Sequence, residues 1–356
     1  MWRTFFPCLG FILLLSACGS DPDAEISPPQ EAPFTFQHQG LTGITVNRLY
    51  QQQDWLLAAT SDGLYLSHGD GSWQQAGLAG YSLFDVVAIT EQHFMASSYR
   101  QDDDGYFHYL LFESYNAGGD WLEVKHQFGF AGEEEGIYGL LYDAEKSRLY
   151  ASGIEVLAYS DDFGLSWQII HGFWGGFGQP KSALAYHAQH NELWYGGQGA
   201  MENPVLFQVP LDGSEATIYP TLFPAPAVVY GIRFVPNDAD TLYISGEGGI
   251  VKSTDYGNHW HNLLGDVDYR FYYDLAIDPA DPQRLFTAGW DKKFDEPQPL
   301  ILEWSYDGGA KWQRYQYPAA ASFYGGVRSM LLVQEQDATV LYLGLWRGGI
   351  MRVTPR

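Results

Sequence analysis

The chain has 356 residues, with 43 Asp and Glu against 19 Lys and Arg, and a formal net charge of −24. Such a field disfavours nucleic acid, because neutralising phosphates takes clustered cations. Phosphate-binding loops, nucleotide fingerprints and long amphipathic helical patterns are all missing from the sequence, so no cofactor is expected.

Residues 1–17 read as a signal segment. Arg3 precedes the apolar stretch Phe5–Leu15, which is too short to span a bilayer. Small residues before a cysteine in Leu15-Ser16-Ala17-Cys18 resemble the bacterial lipobox. That resemblance implies cleavage before Cys18 and a lipid anchor on it. Cys8 leaves with the signal, so the mature chain keeps one cysteine and builds no disulfide framework. Gly19, where aspartate would retain the protein at the inner membrane, implies the outer membrane, facing the periplasm or the cell surface. Residues 18–33 suit an extended tether, being rich in Pro, Asp and Glu and free of aromatics from Asp21 to Pro33.

From there a phrase Ser-x-Asp-x-Gly-x-x-Trp recurs. Full copies start at Ser160, Ser253 and Ser305, a copy with Asn116 for Asp starts at Ser114, and a shortened one starts at Ser67. Successive starts lie 47, 46, 93 and 52 residues apart, so a degenerate copy is expected between the third and fourth. Asp and Asn accept backbone N–H bonds, expected two residues on, and Gly supplies a positive φ, so each copy predicts a tight hairpin. Upstream of each, short apolar and β-branched runs alternate with turn residues, as in Val228–Phe234, Thr241–Ser245 and Gly249–Ser253.

Four strands per unit make a propeller blade. The units are 41–78, 81–128, 136–172, 180–221, 228–266, 271–317 and 325–356. In the fourth, Pro210-Leu211-Asp212-Gly213-Ser214 is expected to make the equivalent turn. The seventh has three strands, Val327–Val333, Val340–Leu345 and Gly349–Val353, and Phe34–His38 is expected to complete it, leaving no sheet edge open. The fold predicted over 34–356 is all-β: a single, monomeric seven-bladed β-propeller of four-stranded antiparallel blades, closed by an N-terminal strand.

The phrase resembles the Asp-box, or BNR repeat, of sialidases, sortilin-type receptors, xyloglucanases and photosystem II assembly-factor propellers. The resemblance implies that Asn116, Asp162, Asp255 and Asp307 hold turns between third and fourth strands, away from the ligand face. Trp121, Trp167, Trp260 and Trp312 are then expected to fill gaps between neighbouring sheets. Over 34–356 the pattern resembles single propellers related to the photosystem II stability and assembly factor, which act by binding protein partners.

The loops of the opposite face hold the binding candidates. They are Tyr99 and Arg100, Tyr138, Glu155, Trp174, Glu247, Arg270, the run Trp290-Asp291-Lys292, Tyr324, and Trp346-Arg347. Exposed Trp, Tyr and Arg dominate interface hot spots, and aromatics also stack on sugars. The Phe/Tyr-Arg-Ile-Pro motif of sialidases is missing. Two segments resemble xyloglucanase blades, Asp278–Leu285 and Leu343–Ile350, but those enzymes cleave between two tandem propellers. A carboxylate pair such as Glu155 with Glu247 or Asp291 could still serve as acid and base. His259 with His261, and Asp102 to Asp104, lack the further ligands a metal site needs, so no metal is expected.

These observations point to a non-catalytic, lipid-anchored envelope propeller that docks an envelope protein through its upper face. The alternative is a carbohydrate-binding or glycoside-hydrolase-like propeller.

Overall fold

The computed structural model describes residues 33–356, except 70, 131–133, 173–177, 201–202, 220–221, 224–227, 266–269, 319–321 and 336–337. Cys18, the signal segment and the tether therefore lie outside the described residues, as does Trp174. The described residues form seven four-stranded antiparallel sheets and contain no helix. Six sheets are built from four consecutive strands. The seventh runs Phe34–His38, Gly349–Pro355, Ala338–Leu345, Val327–Glu335 in space. Phe34 pairs with Pro355 and His38 with Met351, so the N-terminal strand closes the ring as predicted.

The first strand of each blade lies against the first strand of the next, around the whole circle. Packing follows from that arrangement. Seven hydrophobic clusters each bridge two neighbouring blades. Both faces of a middle strand therefore meet another sheet. That is why Leu56–Thr60 and Leu242–Gly246 are buried without alternation. Closure does not abolish sheet edges: every blade keeps an outermost strand. Most of these are short or exposed, as in Gln74–Gln75, Leu122–Val124 and Thr217–Tyr219, which limits edge pairing between molecules.

The recurrent turns differ in one respect from the expectation. In the three full copies and the Asn116 copy the first Ser Oγ accepts the N–H of the Gly four residues on, at 2.7–2.9 Å. The Asp or Asn Oδ1 accepts the N–H four residues beyond itself, not two, at 2.8–2.9 Å. The turn is wider because two successive residues take the left-handed region, such as Phe163 (φ 55°) and Gly164 (φ 90°). Bonding two residues on does occur in blade four, where Asp212 Oδ1 accepts Ser214 N–H at 2.8 Å in the degenerate turn.

Each Trp of the phrase reaches back to the preceding blade. Trp121 Nε1 donates to Ala76 O at 2.8 Å. Trp260 meets Tyr219 edge-on at 5.8 Å, and Trp167 meets Phe128 at 5.2 Å. Trp312 packs in the cluster of Tyr243 and Leu263. Gly77 is required beside Trp121, since a Cβ there would lie 2.6 Å from the indole.

Candidate functional site

A cavity of about 530 Å³ occupies the axis on the face carrying the loops between second and third strands. Its walls come from the first strands, where charged residues stand among apolar ones. In blade two, Asp85 Oδ1 lies 3.2 Å from Arg48 Nε of blade one, and its Oδ2 accepts Leu140 N–H of blade three at 2.9 Å. In blade six, Asp274 binds Arg233 Nη2 of blade five at 2.7 Å and accepts Met330 N–H of blade seven at 3.3 Å. Both aspartates are buried.

Aromatic rings complete the wall in two groups. Tyr99 stacks on Phe84 at 5.1 Å, and Phe84 touches Tyr138 at 4.5 Å. Burial, then the neighbouring Tyr109, pushes the Tyr138 hydroxyl well above its ordinary pKa. In the other group, Tyr230 stacks on Tyr273 at 4.1 Å, and burial likewise raises the Tyr230 hydroxyl. Arg328, on the first strand of blade seven, lies over Tyr273 at 5.0 Å and Trp346 at 5.5 Å.

Two rims rise beside the cavity. Blade two contributes the long hairpin of Phe94–Gln101 and Phe107–Ser114, with Tyr106 71% and Phe107 55% exposed at its tip. Arg100 is exposed on the same hairpin, cross-strand from His108. The His108 imidazole and the Tyr106 N–H hold the Asp102 carboxyl below its usual range. On the far side, Trp346 Nε1 donates to Phe294 O at 2.8 Å, and Phe294 is 43% exposed. Arg347, in the left-handed region at φ 54°, pairs with Asp295 at 3.2 Å and lies over Tyr324 at 5.9 Å.

The structure divides the sequence-derived candidates. Tyr99, Tyr138 and Trp346 line the cavity. Tyr324 and Arg347 sit together on the rim. Trp290 is fully buried, packed against Phe271, Tyr273, Phe294 and Trp346, so it supports the rim and offers no face to a ligand. Lys292 Nζ meets Glu247 at 2.7 Å, and Arg270 Nε meets Asp291 at 2.5 Å. Both carboxylates of the suggested acid–base pairs with Glu155 are thus engaged by cations.

Glu155 itself stands apart from the cavity lining, in a cluster with Glu135 and Lys181. Glu135 Oε2 accepts the N–H groups of Ile154 and Glu155, and burial pushes its carboxyl up. Lys181 is buried with its Nζ donating to Ile154 O, and burial draws its amine down against the pull of Glu135 and Glu155. Among the described residues, no group of three or more His, Cys, Asp or Glu is placed to hold a metal.

Arg48, Asp85, Arg233 and Asp274 lie in or beside inner strands and not on the loops where the sequence places ligand contacts. The signal was a charged residue in or next to an apolar first strand.

No protein-family model matches the chain, and no curated protein matches it. Among solved structures it is similar to the GH74 xyloglucanase from Xanthomonas campestris, at 15% identity and a TM-score of 0.65, over 89% of this chain and 53% of that one. It is also similar to the extracellular domain of a protein assigned to a one-component system in B. thetaiotaomicron. That match has 14% identity and a TM-score of 0.62, over 90% of this chain and 40% of that one. The chain thus spans about half the length of the first and two fifths of the second. At such identities the likeness is one of fold: the class is the seven-bladed β-propeller.

Proposed function

We propose that this propeller is a non-catalytic binding protein of the cell envelope, tethered through a lipid on Cys18, that docks a protein partner on the face around the axial cavity. The observation that carries this reading is the state of the carboxylates there. Asp85, Asp274, Glu247 and Asp291 are each committed to an arginine or lysine, so none of these four stands as a free acid or base beside the cavity. Tyr106, Phe107, Phe294 and Trp346 meanwhile present apolar surface on two rims, with Arg100 and Arg347 beside them, in the residue types that anchor interfaces. The test is quantitative affinity purification of the anchored protein from its own cells. It is run beside a Phe294→Ala/Trp346→Ala/Arg347→Ala variant whose folding is verified. A near-stoichiometric protein lost only in the variant supports the reading; recovery of no specific protein, or one retained by the variant, overturns it.

A second reading, a carbohydrate-binding or glycoside-hydrolase-like propeller, draws on the aromatic-walled cavity and on the xyloglucanase neighbour. Turnover of a polysaccharide that depends on one acidic residue of this face would establish its enzymatic form.

A further inference from the structure

Arg328 stands out among the arginines of the cavity. Arg48 and Arg233 meet aspartates, and Arg270 and Arg347 meet aspartates on the rim. Arg328 lines the cavity, and among the described residues no carboxylate meets it, as none meets the exposed Arg100 of the rim. The chain has 43 acids for 19 bases, so scarcity does not account for the missing partner. A guanidinium has five N–H donors and nothing to accept with. Of the charges lining the cavity, Arg48 is matched by Asp85 and Asp274 by Arg233, which leaves Arg328 without a counterpart. One positive charge is therefore in surplus, inside a chain of −24.

The rest of the lining is neutral but rich in hydrogen-bonding groups. The side chains of Ser82, Ser182, Gln179 and Gln198 border the cavity and make no hydrogen bond among the described residues. Serine hydroxyls and glutamine amides both donate and accept, which suits a ligand carrying many hydroxyls. Trp346 also lines the cavity, beside the cation that lies over its ring. The volume of about 530 Å³ falls in the range of small-molecule sites and is too small for a folded partner.

We propose that the axial cavity binds a small polyhydroxylated monocarboxylate, the chemistry of a single uronic acid. The carboxylate pairs with Arg328, the ring lies against Trp346, and the hydroxyls meet the serines and glutamines. One surplus cation beside Asp274 matches a monoanion and disfavours phosphate, whose second charge would go unpaired. The site shares Trp346 with the docking rim, and Arg328, which the rim variant leaves intact, distinguishes the two.

The test is calorimetric titration of the full chain with galacturonate, its methyl ester, neutral galactose and inorganic phosphate, with tryptophan fluorescence followed in parallel. Galacturonate is expected to bind about tenfold or more tightly than the ester and the neutral sugar, the worth of one charge-assisted contact. Arg328→Gln removes that preference, while Arg328→Lys keeps part of it. Trp346→Phe weakens all the sugars yet preserves the preference for the acid. Circular dichroism and thermal unfolding verify the fold of each variant. Equal affinity for acid and ester, an unchanged preference in Arg328→Gln, tighter binding of phosphate, or no binding of galacturonate at millimolar concentration overturns the proposal.

Discussion

Asp85 in blade two and Asp274 in blade six make the same three kinds of bond. Each Oδ1 accepts the N–H of the next residue at 2.8 Å. Each Oδ2 accepts an N–H from the following blade, and each carboxylate takes a guanidinium from the preceding one. One buried carboxylate thus fastens three blades at their inner ends. Asp85→Ala or Asp274→Ala leaves an arginine and backbone donors unmet, and should cost about 3–5 kcal/mol in urea unfolding. The double variant Arg48→Met/Asp85→Ala should lose less than the sum of its single variants, because both members of the pair are gone.

The interblade tryptophans should be as costly to remove as core residues although they stem from surface turns. Trp121→Ala forfeits its packing in the blade-one cluster and the bond to Ala76 O, about 3 kcal/mol or more. By contrast Leu165→Ala, 64% exposed in the equivalent turn of blade three, should stay within about 0.5 kcal/mol. Thermal unfolding of the two variants checks the contrast.

Trp290 and Phe294 lie in contact at 5.1 Å, yet they should separate stability from recognition. Trp290→Ala empties a buried site against Gly326, where a Cβ would lie 2.6 Å from the indole, and should cost about 3–5 kcal/mol. Phe294→Ala should leave the unfolding curve nearly unchanged and reduce partner recovery. A Phe294→Ala variant that unfolds as readily as Trp290→Ala would contradict this division.

Acid tolerance should depend on a surface turn. His259 N–H and its imidazole hold the Asp255 carboxyl down at about 2, from 3.8. A depressed carboxylate stabilises the fold above its unfolded value, near pH 4, and the contribution fades as pH falls towards 2. His259→Ala should therefore lower stability above about pH 4 and move the acid-unfolding midpoint upward. Circular dichroism between pH 2 and pH 5 tests the shift.

The ring was legible in the sequence because each blade repeats one local solution. A serine, a carboxylate or amide, a glycine and a tryptophan at fixed offsets mark four of the six third-to-fourth strand turns, with a shortened copy in blade one and Asp212 in blade four. Phe34–His38 could be assigned to blade seven because that unit was one strand short. The site was less legible, since burial depends on neighbours far along the chain. Trp290 looks exposed beside Asp291 and Lys292, but Phe271 and Trp346 of other loops enclose it. Tyr230 and Tyr273, 43 residues apart, become one wall only when blades five and six are side by side.

The pairing of Phe34–His38 with Met351–Pro355 also governs how the molecule can be made. The strand that emerges first must wait for the strand that emerges last, since its only sheet partner is the final one. A chain still being synthesised, or cut short, cannot complete blade seven and leaves Phe34 without Trp304 and Val353 to cover it. Contacts of such long sequence separation form slowly. The ring thus closes only when both Phe34–His38 and Met351–Pro355 are present.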